Sequence, residues 1–232
     1  DEPHSNRWLV FIAYMMGLSV GVHLLNLLAI PALTFVYYFK KYEPSKKGII
    51  LTSVISIGIL GFVQKGIIPG VVKIAGYFER IFVNGMGLPF NSGNYIYILL
   101  LIGGISYGLY YTQKHRKVLA NTVLLMLTVI LVGYSSYSMI VIRSSANPPM
   151  DENNPENVFS LLSYLNREQY GSQPLLYGPY FNAPLDAKEP YKDGSPVYQA
   201  DEETGEYVMI DDRKSSVPNY SSEGSTGLPR MW

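Results

Sequence analysis

The chain has 232 residues, a formal net charge of zero, a 48% hydrophobic fraction and no cysteine. Balanced charge excludes a basic face able to neutralise nucleic-acid phosphates, so no nucleic-acid partner is expected. Without cysteine there are no disulfides, zinc–thiolate sites or cysteine nucleophiles.

The averages conceal a boundary. From Trp8 to Ile142 apolar residues dominate and charges gather at short junctions, whereas Arg143 to Trp232 is rich in Pro, Asn, Asp, Glu, Ser, Gly and Tyr. That shift predicts a mainly α protein: a polytopic transmembrane helix bundle over 1–142, about four spans, then a small α+β exterior segment over 143–232. The start, Asp-Glu-Pro-His-Ser-Asn-Arg, has no initiator Met and no basic n-region, which suggests a piece of a longer protein.

The first apolar stretch, 8–39, would run roughly 48 Å as one straight helix, longer than the ~30 Å hydrocarbon core. Gly17, Gly21 and Pro31 are its natural break points. Leu24 to Phe39 reads as the crossing and Trp8 to Met16 as an interfacial or re-entrant arm, with two short crossings as the other possibility. The second span is 48–63. The third, 95–111, has Tyr95, Tyr97, Tyr107, Tyr110 and Tyr111 near its ends, as an aromatic belt predicts. The fourth is 118–142.

Basic residues set the expected orientation. Lys40, Lys41, Lys46 and Lys47 crowd one short loop, and Lys114, Arg116 and Lys117 crowd another. Both loops fall on one side by parity, which the positive-inside rule makes cytoplasmic. Residues 143–232 are then periplasmic, in a multi-pass protein of a bacterial inner membrane.

Between the second and third spans, Val71 to Val83 alternates apolar residues with Lys73, Glu79 and Arg80 at helical spacing. That pattern predicts an amphipathic exterior helix over 71–83, either bordering a lipid-substrate cleft or resting at the interface. In the exterior segment, Asn154 reads as the cap of a helix through Val158, Phe159, Leu161, Leu162 and Leu165, with Gly171 ending it after Tyr170. Val197 to Gln199 and Tyr207 to Ile210 flank a turn as a hairpin, and the polar tail 215–227 reads as mobile. A segment this polar needs packing against the membrane domain, or further chain, to be stable.

Candidate site residues are few. His23 and Asn26 lie at membrane depth, where polar groups face a cavity or hydrogen-bond another helix. Arg143 closes the last span, where a cation can fork onto a lipid phosphate or simply anchor the interface. The acidic residues between Asp186 and Asp212 fit neither an EF-hand loop nor a paired-carboxylate hydrolase, and no metal is expected.

The runs GLSVGVHLLNLLAIPAL (17–33), GLPFNSG (87–93) and RSSANPPMDENNPENVFSLLSYLNREQYGSQPLLYGPYFNAP (143–184) resemble a Bacteroidetes-type multispanning membrane protein family of formerly unknown function. That family is related to the vertebrate transmembrane protein O-mannosyltransferase and to GT-C glycosyltransferases. The resemblance implies sugar transfer from a polyprenyl-phosphate donor to an acceptor protein on the exterior face, with no other cofactor. The family's catalytic acid lies in an N-terminal loop with a His-Pro-Pro-Gly run, which this chain lacks. No catalytic residue is therefore carried over, and the chain reads as an internal fragment. His23, Asn26 and Arg143 are the candidate substrate-binding residues. The rival reading is a non-catalytic membrane scaffold or transporter-like module that holds a partner through its exterior segment.

Overall fold

The computed structural model describes residues 5–151, 153–171, 174 and 177–229. It is mostly helical, with a small strand-bearing segment at the C-terminal end. The helices are α1 (Ser5–Val20), α2 (Ala29–Lys41), α3 (Lys46–Gly61), α4 (Ile68–Val83), α5 (Ser92–Lys114), α6 (Val118–Tyr134), α7 (Ser138–Ser144) and α8 (Val158–Asn166).

Among the described residues, three rods are long and apolar enough to cross a membrane: Lys46–Val83, Ser92–Lys114 and Val118–Ser144. The expected crossing at 8–39 is instead two short helices, 16 and 13 residues long, separated by Gly21–His23 and a 3-10 turn at Leu24–Leu28. At 1.5 Å per residue they reach only about 24 and 20 Å. Neither Gly17 nor Pro31 makes the break. Pro31 sits in the first turn of α2, where its missing N–H costs no helical bond.

Gly17 serves packing. α1 lies parallel to α6, with Gly17 against Ile130, Leu18 against Gly133, and the Tyr137 hydroxyl donating to the Val20 carbonyl at 3.2 Å. A Cβ on Gly17 would sit 2.5 Å from the Ile130 carbonyl oxygen, and one on Gly133 would sit 2.5 Å from the Leu18 nitrogen. Two glycines thus let the backbones touch, the usual way helices gain dispersion contact where no hydrophobic force drives them together. α2 and α3 form a helical hairpin closed by Tyr38, whose hydroxyl accepts from the Ser45 N–H at 3.0 Å.

The second expected span (48–63) and the expected surface helix (71–83) belong to one rod of 38 residues. No loop separates them. A π-turn at Phe62–Ile67 joins α3 to α4. Pro69 explains it: proline cannot donate back to the Lys65 carbonyl and its ring crowds that turn, so the helix widens by a residue. The rod is about 57 Å long, nearly twice a hydrocarbon core. Where it widens, the core gathers: Val20, Leu27, Ile30, Val63, Ile67, Ile68 and Tyr134 form one buried cluster. The Tyr134 hydroxyl donates to the Ile68 carbonyl at 2.7 Å within it.

The C-terminal segment forms three two-stranded antiparallel ladders. The expected hairpin is present as β3 (Val197–Asp201) with β4 (Glu206–Asp211). The tail read as mobile is instead woven in. β6 (Ser225–Gly227) pairs with β1 (Tyr177–Pro179), and β5 (Val217–Pro218) pairs with β2 (Tyr191–Lys192). The α8 cap is Asn157 rather than Asn154: its side chain accepts from the Phe159 and Ser160 N–H groups in a capping box. The helix ends at Arg167, in the left-handed region, and Gly171 ends only the 3-10 turn beyond it.

Replacing Gly17 or Gly133 by leucine should separate α1 from α6, because the added side chain meets backbone that cannot rotate away. Overpacking of this kind costs about 1–3 kcal/mol or more. Thermal unfolding in detergent should drop clearly for each variant, and a wild-type midpoint for either would show the contact to be dispensable.

Candidate functional site

Two cavities border the junction between the helices and the C-terminal segment. The first, about 250 Å³, is built from three separated pieces of chain. The α1–α2 break supplies His23, Leu24 and Leu28; the π-turn region supplies Gln64, Lys65 and Pro69; the end of α8 supplies Leu165, Asn166 and Arg167. Leucines dominate the apolar lining, and Lys65 and Arg167 bring two cations to it. The π-turn matters here, since inserting one residue changes which side chains the rod presents at that level. Arg167 is held on two sides: its backbone is left-handed (φ 55°), and its guanidinium lies 4.7 Å from the centre of the Tyr170 ring.

Of the three residues singled out in the sequence, only His23 lines this cavity. Its Nδ1 accepts the Leu25 N–H at 3.1 Å, capping the 3-10 turn and leaving Nε2 to carry the ring proton. Asn26 instead donates to the Ser19 carbonyl at 3.3 Å, so it caps the C-terminal end of α1. Both polar residues therefore hold the break open through local bonds. Arg143 lines the second cavity, about 280 Å³, with Ser144, Asp151, Tyr164 and Tyr170. The three candidates do not converge.

Lys65 and Arg167 were missed for different reasons. Lys65 interrupts the apolar run from Gly61 to Val72, a signal visible in the sequence but read there as a loop. Arg167 depends on where α8 docks, and no local pattern gives that.

A third missed residue fixes the geometry around both cavities. Glu79 was expected on the polar face of an amphipathic helix, yet it is fully buried, in the α4 stripe Ile68, Val72, Gly76, Glu79 and Val83. Its carboxylate accepts the backbone N–H groups of Asn91 and Asn94, the latter at 3.0 Å, and so caps the start of α5 from a neighbouring helix. Positive partial charge at that helix end offsets the cost of burying the carboxylate. Gly93 permits the approach, since a Cβ there would lie 2.5 Å from Glu79 N and Phe78 O.

The same end of α4 grips the hairpin. Asn84 donates to the Tyr207 carbonyl at 2.8 Å and accepts the Tyr207 N–H at 3.1 Å. The Tyr207 ring packs against Phe90 and Phe159 at 5.0 and 4.9 Å between centres. Burial and the neighbouring Glu79 carboxylate hold the Tyr207 phenol well above its ordinary value of 10.0. Arg80 adds a hydrogen bond to the Tyr198 hydroxyl at 2.9 Å.

Glu79→Ala should loosen the α4–α5 corner, at about 1.5–3 kcal/mol for each charge-assisted bond lost. Hydrogen exchange at the start of α5 should accelerate; unchanged protection there would refute the capping role. Tyr207 gives a pH prediction. Below pH 10 the phenol is neutral whether the hairpin is docked or free. Above it the free phenol ionises while the docked one stays neutral, so docking weakens as pH rises. Wild-type protein should therefore lose docking above about pH 10 more steeply than Tyr207→Phe, followed by tyrosinate absorbance and near-ultraviolet circular dichroism. Identical profiles would show that Tyr207 does not set the alkaline limit.

Among the described residues no group of three His, Asp or Glu is placed to hold a metal ion. No curated protein and no solved structure matches the chain. Residues 171–232, which include the β-ladders, match a family of unknown function, DUF8416. Residues 1–46, which include α1, the break with His23 and α2, match the protein O-mannosyl-transferase TMEM260 N-terminal domain, and to that domain this part of the chain is related.

Proposed function

We infer that the chain is part of a membrane glycosyltransferase of the protein O-mannosyltransferase type, drawing its sugar from a polyprenyl-phosphate donor. The observation that carries the reading is the first cavity. Two cations and His23 share its lining with several leucines, and one wall comes from the segment related to the O-mannosyl-transferase domain. An isoprenoid tail needs an apolar surface and its phosphate needs fixed cations, and this cavity offers both within about 250 Å³.

In the reaction the acceptor protein's hydroxyl attacks the anomeric carbon while a carboxylate takes its proton. The bond from that carbon to the lipid phosphate breaks, and the electron pair leaves with the phosphate. Lys65 and Arg167 are suited to the departing phosphate, whose charge grows as that bond lengthens, and the His23 Nε2–H is suited to a phosphate or sugar oxygen. No residue of this chain is assigned as that carboxylate. The basic loops at Lys40–Lys47 and Lys114–Lys117 support an exterior-facing site.

In the full-length protein, Lys65→Ala and Arg167→Ala should each lower sugar transfer about 10–100-fold, the equivalent of one charge-assisted hydrogen bond. Full transfer by both variants at normal expression would overturn the assignment of this cavity. No sugar-lipid turnover by the full-length wild type would favour the scaffold or transporter-like alternative.

A further inference from the structure

The second cavity lies where the last membrane-length rod ends, and opposite charges border it. Arg143 reaches it from α7 and Asp151 from the loop beyond, with Tyr164 and Tyr170 on the α8 side. Among the described residues the ion pairs are Arg213–Glu168 and Lys214–Asp212, so Arg143 and Asp151 share this space without closing on each other. Asp151 is oriented from behind: the Ser144 hydroxyl, 2% exposed as a residue, donates to its Oδ2 at 2.6 Å. The same hydroxyl lies 3.1 Å from Asn154 Oδ1, and a carboxylate that accepts one such bond keeps acceptor capacity for a ligand. On the same short helix as Arg143, Met139 and Ile142 are 66% and 64% exposed and present apolar surface.

We propose that this cavity binds the zwitterionic headgroup of phosphatidylethanolamine, with Arg143 on the phosphate and Asp151 on the primary ammonium. A guanidinium forks onto phosphate oxygens, and a carboxylate accepts the N–H groups of an ammonium. The amine is primary rather than quaternary for two reasons. A choline has no N–H to give Asp151, and it would need open aromatic faces, of which the Tyr170 ring already carries the Arg167 guanidinium. A purely anionic lipid would leave Asp151 without a partner beside a phosphate, an arrangement that discriminates against it. At about 280 Å³ the space suits a headgroup, with the acyl chains lying outside along Met139 and Ile142. The site is separate from the His23–Lys65 cavity and does not depend on the glycosyl-transfer reading.

The test is thermal unfolding of the full chain in detergent, titrated with phosphatidylethanolamine, phosphatidylcholine or phosphatidylglycerol of the same acyl chains. Near ten times the dissociation constant, phosphatidylethanolamine should raise the midpoint by about 3–5 °C. The other two lipids should raise it by less than about 1 °C. Asp151→Asn should abolish the preference over phosphatidylcholine, and Arg143→Gln should remove the shift. Equal shifts from the ethanolamine and choline lipids in wild-type protein would overturn the proposal, even if neither variant folds. An Asp151→Asn protein that keeps the preference would do the same. Soluble O-phosphoethanolamine should shift the midpoint little at matched concentration; a shift equal to the lipid's would overturn a membrane source for the ligand.

Discussion

A buried carboxylate holds the upper part of this molecule together. Glu79 sits on α4, yet its bonds go to the first turn of α5. A carboxylate removed from water with nothing to bond would be costly by several kcal/mol. Here the uncapped N–H groups of another helix meet that need, and in return Glu79 supplies the acceptors the helix start lacks. The exchange requires close backbone approach, which Gly93 allows, and a reversal between the helices, which the left-handed Gly87 and Asn91 provide. The motif Gly87–Gly93 is thus the other half of the Glu79 contact.

Everything beyond that corner inherits its position. One turn past Glu79, Asn84 bonds both backbone groups of Tyr207 as a neighbouring strand would. Phe159, against Gly76 on one side and Tyr207 on the other, brings α8 onto the same rod. The end of α8 then separates the two cavities. Arg167 lines the first, and the Tyr170 ring beneath its guanidinium lines the second. Two cavities with different linings share a wall because one short helix docks at one place on α4.

The sequence made plain whatever depends on local pattern. Long apolar runs marked the helices at Ser92–Lys114 and Val118–Ser144, though only the first part of Lys46–Val83, and alternation around Asp201–Gly205 located the hairpin. Features set by tertiary partners were hidden. Glu79 falls between Phe78 and Arg80 and reads as a surface charge, because nothing local says that α5 will begin beside it. The tail after Ser215 is polar and reads as mobile, yet its strands pair with residues 25 to 50 positions earlier. Gly17 looks like a helix breaker until Gly133, far along the chain, is known to lie against it. His23 and Asn26 stand out in the sequence as polar groups in an apolar run, and their side-chain bonds are local ones at the helix break.

The break in the first apolar stretch links this local chemistry to function. A continuous helix from Ser5 to Lys41 would present unbroken hydrocarbon to the rod beside it and leave no room there. At the end of α1 the Ser19 carbonyl accepts from the Val22 and His23 N–H groups, with Asn26 adding a third, longer bond; at the start of the 3-10 turn, His23 meets the Leu25 N–H. On the facing rod, Pro69 forces the matching irregularity, the π-turn that carries Lys65. Two helix defects on separate elements thus face each other at one level, and the first cavity is the space between them. Each defect alone would weaken its helix, and only together do they create a polar-rimmed space at the edge of an apolar bundle. Irregular backbone within an apolar bundle is tolerated where it lines a cavity rather than lipid, and both defects here line the same one.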